Sequence, residues 1–184
     1  IDHAWSQDTV IVAATGNDAL ISPTFPAGDR GVIGVSATDP SYTLAPFSNY
    51  GEDVFLAAPG TDILTTDING GYTSISGTSA SAAIVAGVAA FMKAVDPTLP
   101  NGVIVGRLAR TAVPVGTEEE TGYGRVNMAG AVADTGTDSI QPMGAQTPGG
   151  GTAPGPYIDA AVTQPTVWTK AYDQATRTGT GISF

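Results

Sequence analysis

The chain has 184 residues, with 7 Lys and Arg against 17 Asp and Glu, a formal charge of −10 at pH 7 and an isoelectric point near 4.1; this argues against nucleic acid or an anionic membrane surface as partner. At 42% hydrophobic residues it can build a real core, which excludes global disorder, while only 13% charged residues beside 24 Gly and 13 Pro point to many shaped turns. Cysteine is absent and there is one histidine, so disulfides, thiolate metal sites and a cysteine nucleophile are ruled out.

In chain order, residues 1–7 are short and mixed, and His3 reads as a helix-end or surface residue. The first residue is Ile1 rather than Met, no targeting segment is visible, and the chain is expected to be a piece of a longer product. No apolar run approaches the roughly eighteen residues of a membrane span, so none is expected. From Thr9 to Ala14 the run is apolar and β-branched and stops at the polar turn Thr15-Gly16-Asn17-Asp18, which predicts a buried strand. Residues 31–38 and 53–58 predict two more buried strands, bounded by Gly and Pro. Residues 72–76 alternate towards Gly77, and Thr78 to Val95 has the small, apolar spacing of a helix buried on most sides, ended by Asp96-Pro97. Further helices are expected over 101–111 and 126–133. Buried strands separated by loops and helices indicate an α/β fold with a mostly parallel sheet flanked by helices.

The composition changes past Asp134. Residues 135–156 have linker chemistry, with Thr147-Pro-Gly-Gly-Gly at their centre. Residues 157–184, with Val162, Val167, Trp168 and Tyr172, read as a short tail and the possible start of a β module. The expected organisation is therefore a globular portion over 1–134, a Gly/Pro linker and a tail.

Two features carry chemistry. Gly77-Thr78-Ser79 delivers a serine into the first turn of a buried helix, where a free N–H and the helix dipole favour a developing negative charge; the alternative is a serine that only caps the helix. Ala14-Thr15-Gly16-Asn17 places an asparagine at the C-terminal end of a strand, where open α/β sheets hold ligands; the alternative is a plain turn residue.

Taken together over about residues 9–133, these segments resemble the C-terminal part of the subtilisin-like serine proteases, the subtilase family. Gly77-Thr78-Ser79 resembles the nucleophile motif and Ala13 to Asn17 the segment that ends in the oxyanion asparagine. Thr24-Phe25-Pro26-Ala27 resembles the stretch beside the S1 pocket, and a cis Phe25–Pro26 bond is expected from it. Phe47-Ser48-Asn49-Tyr50-Gly51, Ala57-Ala58-Pro59-Gly60 and Gly122-Tyr-Gly-Arg-Val-Asn127 resemble three further family segments. The resemblance implies Ser79 as nucleophile, Asn17 as oxyanion donor, and Ala14, Thr15, Gly16, Thr24 and Thr78 as substrate-binding positions. It also implies a secreted serine endopeptidase acting on proteins or peptides, with a structural calcium possible in the complete domain; Asp39 matches an acidic position that joins a weak cation site in some relatives.

The chain departs from the family pattern at Ser81, Ala82 and Ala83, where Ala, Ser and Pro are usual, and at Ile84, where His is familiar. No Asp-Ser/Thr-Gly segment followed by a His-Gly-Thr-His segment occurs; the one Asp-Thr-Gly, at residues 134–136, lies after Ser79 and has no histidine beyond it. The triad Asp and His are therefore expected in sequence preceding Ile1, a missing N-terminal part of the same domain. A catalytically silent subtilase-like module serving attachment or display stays open beside the enzyme. An α/β-hydrolase does not fit: Ser81 stands where the second glycine of its Gly-x-Ser-x-Gly turn belongs, and no histidine follows Ser79.

Overall fold

A computed structural model describes residues 1–145; the expected tail and the second half of the expected linker lie outside the described residues. Three parallel strands form the sheet, β1 (Ile11–Ala14), β2 (Val32–Thr38) and β3 (Leu56–Pro59), in the order β1-β2-β3. All seven residues of the central strand β2 are buried, as expected of a parallel strand covered on both faces. β1 is half-buried and, among the described residues, unpaired on its outer edge.

Helix α2 (Thr78–Val95) lies against the sheet. Its Val85, Val88, Ala89 and Met92 pack with Ile33, Val35, Leu56 and Ala58 of the strands and with Val103, Ile104 and Leu108 of helix α3 (Asn101–Thr111). By length and a mean hydropathy of 1.5 over 18 residues, α2 is apolar enough to cross a membrane, contrary to the expectation that no run comes near that length. Its hydropathy comes from Ala and Val, and its buried side chains belong to the core of this sheet. The substitutions at 81–83 leave it unbroken, since alanine is a better helix former than proline.

Three elements go beyond the reading of the sequence. Helix α1 (Asp2–Ser6) opens the chain. Strand β4 (Ile63–Thr66) pairs antiparallel with β5 (Tyr72–Ile75), so the run before Gly77 is one arm of a hairpin. The four-residue helix α4 (Glu118–Thr121) is held by a capping box in which Glu120 N–H donates to Thr117 Oγ1 and Thr117 N–H to Glu120 Oε2. The last helix, α5, runs Met128–Ala133.

The chain does not leave the packed body at Asp134. Arg107 Nε donates to Gly136 O at 2.9 Å and Ile140 N–H to Gly102 O at 2.9 Å, so residues 135–145, read from composition as linker, lie against α3.

The far end of α2 is tied to the start of the chain. Asp8 takes the Lys93 ammonium on one oxygen and the Asn101 N–H, at 2.6 Å, on the other, so a carboxylate from the loop after α1 sits at the N-terminus of α3. The Lys93 hydrogen bond, then the Asn101 N–H, hold the Asp8 carboxyl below its ordinary value. A depressed carboxyl stabilises the fold above its unfolded pKa, and that stabilisation is lost as pH falls through its folded pKa. Asp8→Asn keeps an acceptor but loses the charge. It is expected to lower stability by about 0.2–1 kcal/mol at pH 7, the range for exposed pairs, and by nothing measurable once the pH is below the folded pKa, as read from paired thermal melts.

Candidate active site

The site is built where β1 ends and α2 begins. Thr15, fully buried, donates its N–H to Val35 O at 3.3 Å and so extends β1 by one residue along β2. Gly16 then turns the chain at φ +103, where a Cβ would collide with Asn49 Nδ2; glycine is required here on both counts. Its N–H donates to Thr78 Oγ1 at 3.1 Å. Thr78 in turn donates both its N–H, at 2.8 Å, and its hydroxyl, at 3.0 Å, to Asn17 Oδ1. The hydroxyl thus accepts once and donates once, as its single proton allows.

This clamp fixes the Asn17 amide. Its oxygen is occupied by two donors from the turn before Ser79, and among the described residues Nδ2 has no acceptor. Ser79 is exposed and is the second residue of α2. The N-cap is Gly77, with no side-chain cap bond, so Ser79 is not the residue that caps the helix. Thr78 N–H goes to Asn17 and Ala80 N–H to Gly77 O at 3.0 Å, which leaves Ser79 N–H without an acceptor among the described residues. One side-chain donor and one helix-terminal N–H therefore flank an exposed serine hydroxyl, an arrangement able to take a developing oxyanion.

A second set of bonds shapes the neighbouring wall. Thr24 Oγ1 donates to Thr15 O at 2.9 Å, and Thr24 N–H donates to Asp53 Oδ2 at 2.9 Å. The structure thus brings together Ala14, Thr15, Gly16, Thr24 and Thr78. Phe25–Pro26 is cis, as expected. Asp53 is 3% exposed and its Oδ1 has no partner among the described residues; burial pushes its carboxyl above the ordinary value, against the pull of the Thr24 N–H.

Asn49 and Asp53 support the site, and the sequence motifs single out neither. Asn49 is 1% exposed; its Oδ1 accepts from Asp18 N–H at 2.8 Å and Leu20 N–H at 3.1 Å, and its own N–H donates to Gly16 O at 2.9 Å. It folds the loop that carries Asn17. Asn49→Ala is expected to destabilise the protein by about 1–3 kcal/mol, the cost of unmade buried hydrogen bonds, and Asn49→Asp by less, since an acceptor is retained; denaturant melts measure both. Ser81 is likewise buried, its hydroxyl placed 3.0 Å from Ala58 O and 3.1 Å from Pro59 O, which ties α2 to the end of β3.

Asp39 is a turn residue: one oxygen accepts from Ser41 N–H and Thr43 N–H and the other from the Thr43 hydroxyl. Among the described residues no three His, Cys, Asp or Glu side chains converge, so residues 1–145 present no carboxylate cage for the calcium the resemblance allows. His3 lies in α1, whose Trp5 carbonyl accepts from Asn101 Nδ2. That places it beside the Lys93 end of α2, and Lys93 is fourteen residues beyond Ser79, about 21 Å at 1.5 Å per residue. A cavity of about 390 Å³ is lined by Val54, Tyr123 and residues around α4 and contains neither Ser79 nor Asn17.

A model of the Subtilase family matches residues 1–144. The chain is 43% identical over 127 residues to the halolysin of Haloferax mediterranei, covering 67% of this chain and 24% of that protein. It is 42% identical over 120 residues to the halolysin-like extracellular serine protease Nep of Natrialba magadii, covering 65% and 22%. Against subtilisin BL of Lederbergia lenta the identity is 35% over 127 residues, covering 69% and 47%. Among solved structures, the prenylagaramide maturation protease PagA superposes with a TM-score of 0.66 at 29% identity, over 71% of this chain and 52% of that one. The self-cleaved protease domain of PatA gives 0.65 at 30%, over 71% and 51%. The chain thus spans about a quarter of the length of the two halolysin-type relatives and about half of the solved chains.

Proposed function

The chain belongs to the subtilase family, and from that premise we propose that it carries the nucleophile side of the active site of an extracellular serine endopeptidase. Ser79 Oγ attacks the peptide carbonyl, forming the Oγ–C bond while its proton passes to a histidine base. The carbonyl oxygen becomes an oxyanion held by Asn17 Nδ2 and Ser79 N–H. Collapse breaks the C–N bond, the base returns its proton to the departing amine, and water later hydrolyses the acyl-enzyme by the same route in reverse. The observation that carries this reading is the clamp on Asn17: Oδ1 is held by Thr78, the residue before the exposed Ser79, so the NH₂ is the part of the amide left to donate.

The base and its orienting aspartate come, on this reading, from a preceding part of the same domain. Its seat is supported by the outer edge of β1, which is unpaired among the described residues. Ala14 to Gly16 and Thr24 form one wall, and extended protein or peptide segments are the substrates. Extracellular action is supported by the names of the relatives. Nothing in the geometry favours the silent-module reading, because the helix carrying Ser79 is continuous through Ala83. The test is turnover of casein or a chromogenic peptide by the protein with its upstream segment in place. Ser79→Ala should lower kcat by about a thousand-fold or more; unchanged turnover would remove Ser79 from the mechanism.

A further inference from the structure

The loop that carries Thr24 has little regular structure of its own. Between the end of β1 and the start of β2 it exposes Leu20, Ile21 and Phe25, and a long irregular loop beside a binding site needs external bracing to hold one shape. One brace is Asp53 at Thr24 N–H. The second comes from the far end of the described chain.

Past α5, residues 138–145 run along α3 and then onto this loop. Ile140 N–H donates to Gly102 O at 2.9 Å, Gly31 N–H donates to Pro142 O at 2.8 Å, and Ala145 N–H donates to Gly28 O at 2.9 Å. Gly28 N–H donates to Thr24 O at 2.7 Å, so Gly28 is held by Ala145 on one side and holds Thr24 on the other. Ala145 is buried. Contact with α3 is close enough that a Cβ on Gly102 would collide with Ser139 Oγ, and one on Gly106 with the carbonyl of Asp138. These two glycines, four residues apart on one helix face, form the track along which the segment lies.

We propose that residues 138–145 are a positioning strap for the substrate wall: they hold loop 24–31 through Gly28 and Gly31, set the place of Thr24, and so govern substrate binding rather than the chemical step. The inference rests on the reading of Thr24 as part of that wall. It gives a sequence-level role to chain beyond α5 whose composition alone reads as linker.

Two substitutions in the complete protein lift the strap from opposite ends. Gly102→Ala with Gly106→Ala blocks the track while favouring helix, and Gly144→Val places a side chain at φ +76 against Gly28 O and Arg30 N. Each is expected to raise KM for peptide substrates about five-fold or more, with kcat and the rate of fluorophosphonate labelling of Ser79 changed by less than about two-fold. The Gly28 amide, bonded within the loop and not to the strap, should exchange with solvent about ten-fold faster. Thr24→Leu serves as the reference variant. If it shifts KM while both strap variants leave KM unchanged, the strap has no part in binding and the inference is overturned. If Thr24→Leu also leaves KM unchanged, the wall reading itself fails and takes the strap with it. A fall in kcat and labelling alongside KM would mean general loosening of the domain, and also overturns the proposal.

Discussion

The 184-residue chain by itself is expected to hydrolyse no peptide at a measurable enzymatic rate, although Ser79 and Asn17 are both present. A serine hydroxyl is a weak nucleophile until a neighbouring base accepts its proton. The sequence contains one histidine, and His3 lies in α1, beside the Lys93 end of α2, while Ser79 stands about 21 Å from Lys93 along that helix. In subtilisin, a well-studied member of this family, losing the base costs roughly a million-fold in kcat, nearly as much as losing the whole triad. Less than that remnant should survive here. The outer edge of β1 is unpaired among the described residues, and Leu64, Ile68 and Tyr72 are exposed on and around the β4–β5 hairpin; such surfaces favour self-association over a monomeric catalyst. Joining the upstream segment should restore soluble protein that turns over peptide. Turnover by the 184-residue chain alone would mean that the base lies within it.

Asn17→Leu in the complete protein is expected to lower kcat by about a hundred-fold or more while KM changes little, the pattern of a donor that acts in the transition state and the magnitude known for the oxyanion asparagine of subtilisin. The clamp adds a complication, because leucine removes the donor and also the acceptor of two bonds from Thr78. Asn17→Asp separates the two effects. It keeps an oxygen for the Thr78 N–H and hydroxyl, and it places a carboxylate where the NH₂ stood. If donation is what matters, kcat falls at least as far in the aspartate variant as in the leucine variant, with the melting temperature close to that of the parent. If Asn17 acts only by holding the turn, the aspartate variant keeps most of its activity.

The parallel strands and α2 were legible because each is a continuous apolar run ended by Gly, Pro or a polar turn, and burial on both faces writes such runs into the sequence. The site residues were legible as short motifs, since Ser79 and Asn17 each sit at the junction of one element and one turn. What escaped depends on distant partners. Asn49 is one position of a segment that resembles the family's, with no role of its own in the sequence; that role exists only because folding brings it to amides 29 and 31 residues earlier in the chain. Strand β4 has four residues and reads as a strand only beside β5. Helix α4 carried a local signal, Thr117 followed three residues later by Glu120, which the acidic run around it obscured. Residues 135–145 have the small, polar composition of a linker, and their docking follows from Gly102 and Gly106 lying on one face of α3. Composition does not carry that information.

The central claim is that Ser79 is the nucleophile of a peptidase, and covalent labelling tests it most directly. The complete protein is treated with a fluorophosphonate, digested, and the modified peptide sequenced by mass spectrometry. The account predicts a single adduct on Ser79, formed in the parent protein, strongly slowed in the Asn17→Leu variant, and absent from Ser79→Ala. An adduct on any other serine, or labelling that persists in Ser79→Ala, would contradict it.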